Sequence, residues 1–122
     1  MSSIYKQEII EHSQQPHNYG SMENASLEAH EVNTLCGDGI KLFLHIDHEK
    51  ILDAKFEGNG CAISQASASM LTDELKGMRL EDAKGLSKEF ITEMMGLEDI
   101  NPSRMRCALL SLETLRKALR NV

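Results

Sequence analysis

Three thiols stand at positions 36, 61 and 107 of a 122-residue chain, each in a setting that favours the thiolate form. Cys36 opens a Cys-Gly-Asp-Gly turn, whose glycines let the backbone bend tightly around a bound ion. Cys61 follows Gly58-Asn59-Gly60 and directly precedes a helical pattern, so the N-terminal dipole of that helix favours negative charge on its sulfur. Cys107 stands beside Arg104 and Arg106. Asp38, two positions after Cys36, adds a carboxylate. Three thiolates and a carboxylate satisfy a four-coordinate zinc ion, with Zn–S near about 2.3 Å and Zn–O near about 2.0–2.2 Å. The same thiolates suit iron–sulfur clusters, and residue chemistry alone does not choose between the two. It also leaves open a plainer reading, in which three cysteines are buried separately and only pack, because no Cys-x-x-Cys pair is present.

Other chemistry-bearing residues point to structure. The five histidines, His12, His17, His30, His45 and His48, show no ligand spacing, and His45 and His48 flank a hairpin turn where solvent is expected. The Ser-Ala run from Ser64 to Ser69 has no histidine partner in sequence and reads as a close-packing helix face. The seven methionines read as core filler.

The elements that must position the thiols follow from periodicity. Ile4, Tyr5, Ile9 and His12 predict an opening helix, capped by Ser2 or Ser3 and stopped before Pro16, with a polar loop on to Ser26. Ile40, Leu42, Leu44 and Ile46 alternate with polar positions and Phe43, and Leu52, Ala54 and Phe56 alternate likewise, which predicts an antiparallel hairpin turning at Asp47 to Lys50. Leu27, Ala29 and Glu31 mark a preceding strand. A helix then carries Ile63, Ala66, Met70 and Leu75 on one face up to Gly77. Short helices are expected at Leu80–Lys84 and Ser87–Met95, and Asn101-Pro102 caps a last helix with Ala108, Leu112, Leu115 and Leu119 in one stripe. Because the strands are consecutive, the class is α+β: a three-stranded antiparallel sheet with helices packed on one face, in a single domain over 1–122. In that layout Cys36 and Cys61 fall at the same end of the sheet, and a helix crossing the sheet brings Cys107 to them.

Composition excludes several functions. Acidic residues outnumber basic ones 19 to 13 and aromatics are 4% of the chain, which speaks against nucleic acid as a partner. No apolar run has membrane-span length, so no membrane partner is expected. The start lacks a secretory signal pattern, and with an odd cysteine count this argues for a reducing compartment, the cytoplasm, and against a disulfide framework. The charge is uneven: residues 101–122 carry Arg104, Arg106, Arg116, Lys117 and Arg120 against Glu113 alone. Arg116, Lys117 and Arg120 read as a solvated face near a helix C-terminus; Arg104 and Arg106 are better placed to meet an acidic partner.

The segments IYKQEIIEHSQQPHNYG, NTLCGDGIKL, DAKFEGNGCAISQASASML and RMRCALLSLETLRKAL together resemble the NifU/IscU/SufU family of iron–sulfur cluster assembly scaffolds, from about Tyr5 to Leu119. The resemblance implies a three-stranded sheet with helices packed on it. It implies a site made of Cys36, Asp38, Cys61 and Cys107 that holds a transient [2Fe-2S] cluster, or zinc in the isolated protein. It also implies a cysteine desulfurase as sulfur donor and apo iron–sulfur proteins as acceptors. Cys107 and then Cys36 are the expected persulfide acceptors. Arg106 stands where IscU-type members carry histidine, and Ile100-Asn101-Pro102-Ser103-Arg104 replaces their chaperone-docking motif. The motifs lean to SufU, which keeps a zinc-dependent sulfurtransferase as the alternative, whereas the short gap from Cys61 to Cys107 is IscU-like.

Overall fold

A computed structural model of the chain describes residues 3–34, 37–97, 100–120 and 122; Cys36 lies outside these. The alternating stretches form β1 (Leu27–Asn33), β2 (Asp38–Asp47) and β3 (Lys50–Asn59), and the 3.6-periodic stretches form α1 (Ser3–Gln14), α2 (Ala62–Leu75), α3 (Leu80–Lys84), α4 (Lys88–Met95) and α5 (Pro102–Ala118). The sheet is antiparallel in the order β1-β2-β3. Its inner face presents Ala29, Ile40, Leu42, Leu44, Ile51, Ala54 and Phe56, all buried. Onto that face pack α2, along β3, and α5, along β1 and β2; α1 lies on α2, and α4 lies against α2 and α5. No helix among the described residues is long and apolar enough to cross a membrane.

Two strand assignments differ from the simple alternation. Leu52 is expected on the apolar face but is 49% exposed, while its neighbour Ile51 is wholly buried. The cause is a bulge: His45 pairs with Asp53 but Ile46 pairs with Ile51, so β3 holds one residue more than β2 at this point and its facing flips. Phe43, placed by period two on the polar face, is buried there with the Lys41 ammonium 5.1 Å from its ring centroid.

The helix layer is joined by small polar residues. Ser67 of α2 donates to the Ala108 carbonyl of α5 at 2.6 Å and lies 2.7 Å from the Ser111 hydroxyl, all buried, so the Ser-Ala face does bring the two helices close. The cations at the end of α5 serve the fold itself. Lys117 reaches the His30 carbonyl and the Glu31 carboxylate of β1, and Arg116 reaches the Leu86 carbonyl.

The segment after α1 closes the outer edge of β3. The Phe56 N–H donates to the Asn18 carbonyl and the Gly20 N–H donates to the Phe56 carbonyl. His12 and His17 meet α2 at Ser69 and Asp73. Burial, and then the neighbouring His17, hold the His12 imidazole below its ordinary pKa. Burial alone would raise the Asp73 carboxyl, but hydrogen bonds from His17 and Asn18 outweigh it and keep the group below the usual carboxylate range.

The β2–β3 turn places His48 and Glu49 both at positive φ, +51° and +63°. This is the two-residue geometry that matches strand twist and that Asn-Gly fills with least strain. Replacing His48-Glu49 by Asn-Gly is expected to stabilise the fold by about 1 kcal/mol, read as a higher denaturation midpoint with unchanged slope. An unchanged or lower midpoint would show that the turn is not strained.

Candidate metal centre

Three of the four sequence candidates meet at one end of the sheet. Asp38 is the first residue of β2, in register with Asn33, the last residue of β1. Gly39 pairs with Asn59, the last residue of β3, so the chain leaving β3 arrives beside Asp38 and two residues later reaches Cys61. Cys61 is the N-cap of α2, and its side chain makes no capping hydrogen bond. Cys107 lies in the second turn of α5, turned inward, with Asn101 capping that helix through its side-chain oxygen and the Arg104 N–H at 2.9 Å. One donor atom from each of Asp38, Cys61 and Cys107 lies within 4.8 Å of the other two. Cys36 is outside the described residues.

Close approach at this point depends on two glycines. A Cβ on Gly58 would stand 2.1 Å from the Gly39 carbonyl oxygen across the ladder, and one on Gly60 would stand 3.0 Å from the Ser64 Cβ and 3.1 Å from the Asp38 Cγ. Any side chain at position 58 collides with the backbone of β2, and one at position 60 presses Asp38 and Ser64 out of line.

The donors differ in access. Asp38 is 6% exposed and Cys107 8%, whereas Cys61 is exposed. Ser64 ties them together. Its hydroxyl donates to Asp38 Oδ2 at 2.6 Å and lies 3.6 Å from Cys61 Sγ. A hydroxyl has one proton to give, so Ser64 can only accept from the Cys61 side while it donates to Asp38. A cavity of about 360 Å³ opens beside Cys61 and Cys107, walled by Asn33 and Ile63 and rimmed by the exposed Arg104 and Arg106. Two cysteines therefore line a pocket rimmed by two arginines, and the Asp38 carboxylate lies within 4.8 Å of their sulfurs. That arrangement suits a soft metal ion held by thiolates and an anionic or electron-rich group entering from solvent.

Sequence reading missed Ser64 and Asn33. Ser64 is three residues after Cys61, hence on the same face of α2, but in a run of alternating small residues nothing singles it out. Asn33 is the polar end of a strand, and only the β1–β2 register brings it to the pocket wall.

Residues 4–122 match the NifU-like N-terminal domain family. The chain is similar to the zinc-dependent sulfurtransferase SufU of Bacillus subtilis, 38% identical, with 98% of this chain and 91% of the relative covered. It is 32% identical to the iron–sulfur cluster assembly scaffold protein IscU of Streptococcus pyogenes, covering 98% of this chain and 85% of that one. Among solved structures, a candidate iron–sulfur cluster assembly scaffold protein for the SUF system from Fervidobacterium islandicum superposes with a TM-score of 0.79. It is 31% identical, with 95% of this chain and 96% of that one covered.

Removing the Ser64 hydroxyl leaves a buried carboxylate without that donor. Ser64→Ala is expected to weaken zinc binding about ten-fold or more, as loss of a partner that orients a ligand does, with little change in circular dichroism. Competition against a chromophoric chelator measures it, and equal affinity would remove Ser64 from the site's architecture.

Proposed function

This chain belongs to the NifU-like N-terminal domain family, that of the SufU and IscU iron–sulfur cluster assembly proteins, and on that premise we propose that it accepts sulfur from a cysteine desulfurase and holds iron or zinc through Cys36, Asp38, Cys61 and Cys107. The observation that carries the reading is the convergence of Asp38, Cys61 and Cys107 within 4.8 Å. The donor set fits. Thiolates select zinc and iron–sulfur centres over calcium and magnesium, and a bound cation there would keep the thiols deprotonated. The cluster is cargo, to be passed to apo iron–sulfur proteins in a reducing cytoplasm.

Each residue has a part. The thiolate of Cys107, and after it Cys36, attacks the outer sulfur of the desulfurase persulfide. A new S–S bond forms on the acceptor, the donor's S–S bond breaks, and the electron pair leaves on the donor cysteine as thiolate, with no net oxidation. Arg104 and Arg106 favour the attacking thiolate and meet the acidic surface of the donor. Asp38 is a hard ligand among soft ones and lets the site open. Asp38→Ala is accordingly expected to retain a reconstituted cluster longer than the wild type when an apo-ferredoxin is added, and equal or faster transfer counts against that role. Mass spectrometry after incubation with desulfurase and cysteine should find one added sulfur atom on Cys107 or Cys36; an adduct confined to Cys61 refutes the assignment.

Similarity to the Bacillus subtilis protein favours a second reading, a zinc-dependent sulfurtransferase that never holds a cluster. Metal analysis of anaerobically purified protein, its absorbance spectrum and a desulfurase assay separate the two. A chromophoric cluster that moves to an acceptor supports the scaffold. Tight zinc, a stimulated desulfurase and no transferable cluster support the sulfurtransferase.

A further inference from the structure

A second group of metal-type donors lies where α1 meets α2. His12 sits in the last turn of α1, His17 just past Pro16, and Asp73 near the end of α2. Asp73 is twelve residues along α2 from Cys61, about 18 Å at 1.5 Å per residue, so the group is separate from the cysteine pocket. One donor atom of each residue lies within 4.8 Å of the other two. The imidazole rings pack at 4.4 Å between centroids, tilted by 50°, and His17 Nδ1 stands 2.7 Å from Asp73 Oδ2. Tetrahedral ligands about 2.0–2.2 Å from one ion are themselves about 3.3–3.6 Å apart, so this pair, now at 2.7 Å, opens by less than about 1 Å to share a cation in place of a proton.

The donors are oriented by groups behind them. Ser69 lies 2.6 Å from His12 Nδ1 and accepts the His17 backbone N–H at 2.8 Å. The Asn18 amide donates to Asp73 Oδ1 at 2.8 Å, and to Thr72 Oγ1 at 3.0 Å. Thr72 in turn donates to the α2 backbone. Ser69 and Thr72 are wholly buried, so this outer layer is part of the helix packing and not a set of surface rotamers. Outer groups of this kind fix ring orientation in metal sites. His17 and Asp73 retain 56% and 42% side-chain exposure, which leaves the open side to water ligands.

From this geometry we infer that His12, His17 and Asp73 form a second metal site for a divalent first-row transition ion such as zinc. Two imidazoles and a carboxylate select such ions over calcium and magnesium. The ion joins α1 and the segment after it to α2, the helix that begins at Cys61. The inference does not rest on the proposed function, because none of its ligands belongs to the cysteine pocket.

Equilibrium dialysis of the full chain against buffered zinc under reducing conditions, with metal counted per chain, tests it. The wild type should bind two ions. His17→Ala should lose one of them, and Cys61→Ser the other. Asp73→Asn keeps the side chain's shape and one acceptor oxygen, for either His17 or Asn18, but not the carboxylate charge, and should weaken the second ion by at least about ten-fold, the lower bound set by losing even an outer partner. In a parallel titration the His12 and His17 ring protons should shift in the wild type and not in Asp73→Asn. A wild type whose His12 and His17 signals do not respond, or a count unchanged in both His17→Ala and Asp73→Asn, overturns the site and leaves a metal-free hydrogen-bonded clasp. If His17→Ala does not fold, Asp73→Asn and the ring signals decide. A single ion that survives Cys61→Ser but not His17→Ala would uphold this site and defeat the cysteine site instead.

Discussion

Burying a carboxylate away from water costs several kcal/mol unless its oxygens find donors or a cation. Asp38 is such a carboxylate, 6% exposed at the start of an inner strand, with the Ser64 hydroxyl 2.6 Å from one oxygen and two cysteine sulfurs close by. That contact decides how the end of the sheet must meet the helix layer. The first turn of α2 has to lie directly over the first residue of β2, and the link between β3 and α2 has to be thin enough to allow it. Gly58 and Gly60 supply the thin link, the one where β2 and β3 backbones nearly touch, the other where Asp38 and Ser64 crowd the chain.

The rest of the fold holds that meeting in place. Ser67 and Ser111 let α5 approach α2 closely, which carries Cys107 inward to the carboxylate. Lys117 pins the far end of α5 to β1 through His30 and Glu31, so the helix is fixed both at its cap and beyond its middle. The two described cysteines thus sit on different supports: Cys107 inward on α5 and Cys61 on a helix start open to solvent. A site assembled this way has a buried floor, Asp38 and Cys107, and an accessible lip at Cys61.

Much of this was legible in the sequence because the relevant residues stand at element ends. Two alternating stretches and a short connection make the β2–β3 hairpin, consecutive strands make the sheet antiparallel, and Cys61 after Gly-Asn-Gly marks the start of α2. Proximity of Asp38 and Cys61 follows from strand order, and Cys107 joins them through the packing of α5 across the sheet. The facing of Leu52 was not legible, because its alternating pattern runs on unbroken through a bulge that only pairing with His45 and Ile46 reveals. Ser64 looks like its neighbours until the register sets Asp38 against it. His12 and His17 lack ligand spacing in sequence because their third partner, Asp73, is 56 residues beyond His17 and reaches them only through the packing of α1 on α2.

The central claim is that the cysteine pocket is a thiolate-rich metal site completed by a carboxylate. Zinc K-edge X-ray absorption tests it most directly, on full-length protein loaded with less than one equivalent of zinc under reducing conditions. The account predicts a shell of three sulfurs at about 2.3 Å and one oxygen at about 2.0–2.2 Å. A shell of nitrogen and oxygen alone would contradict it.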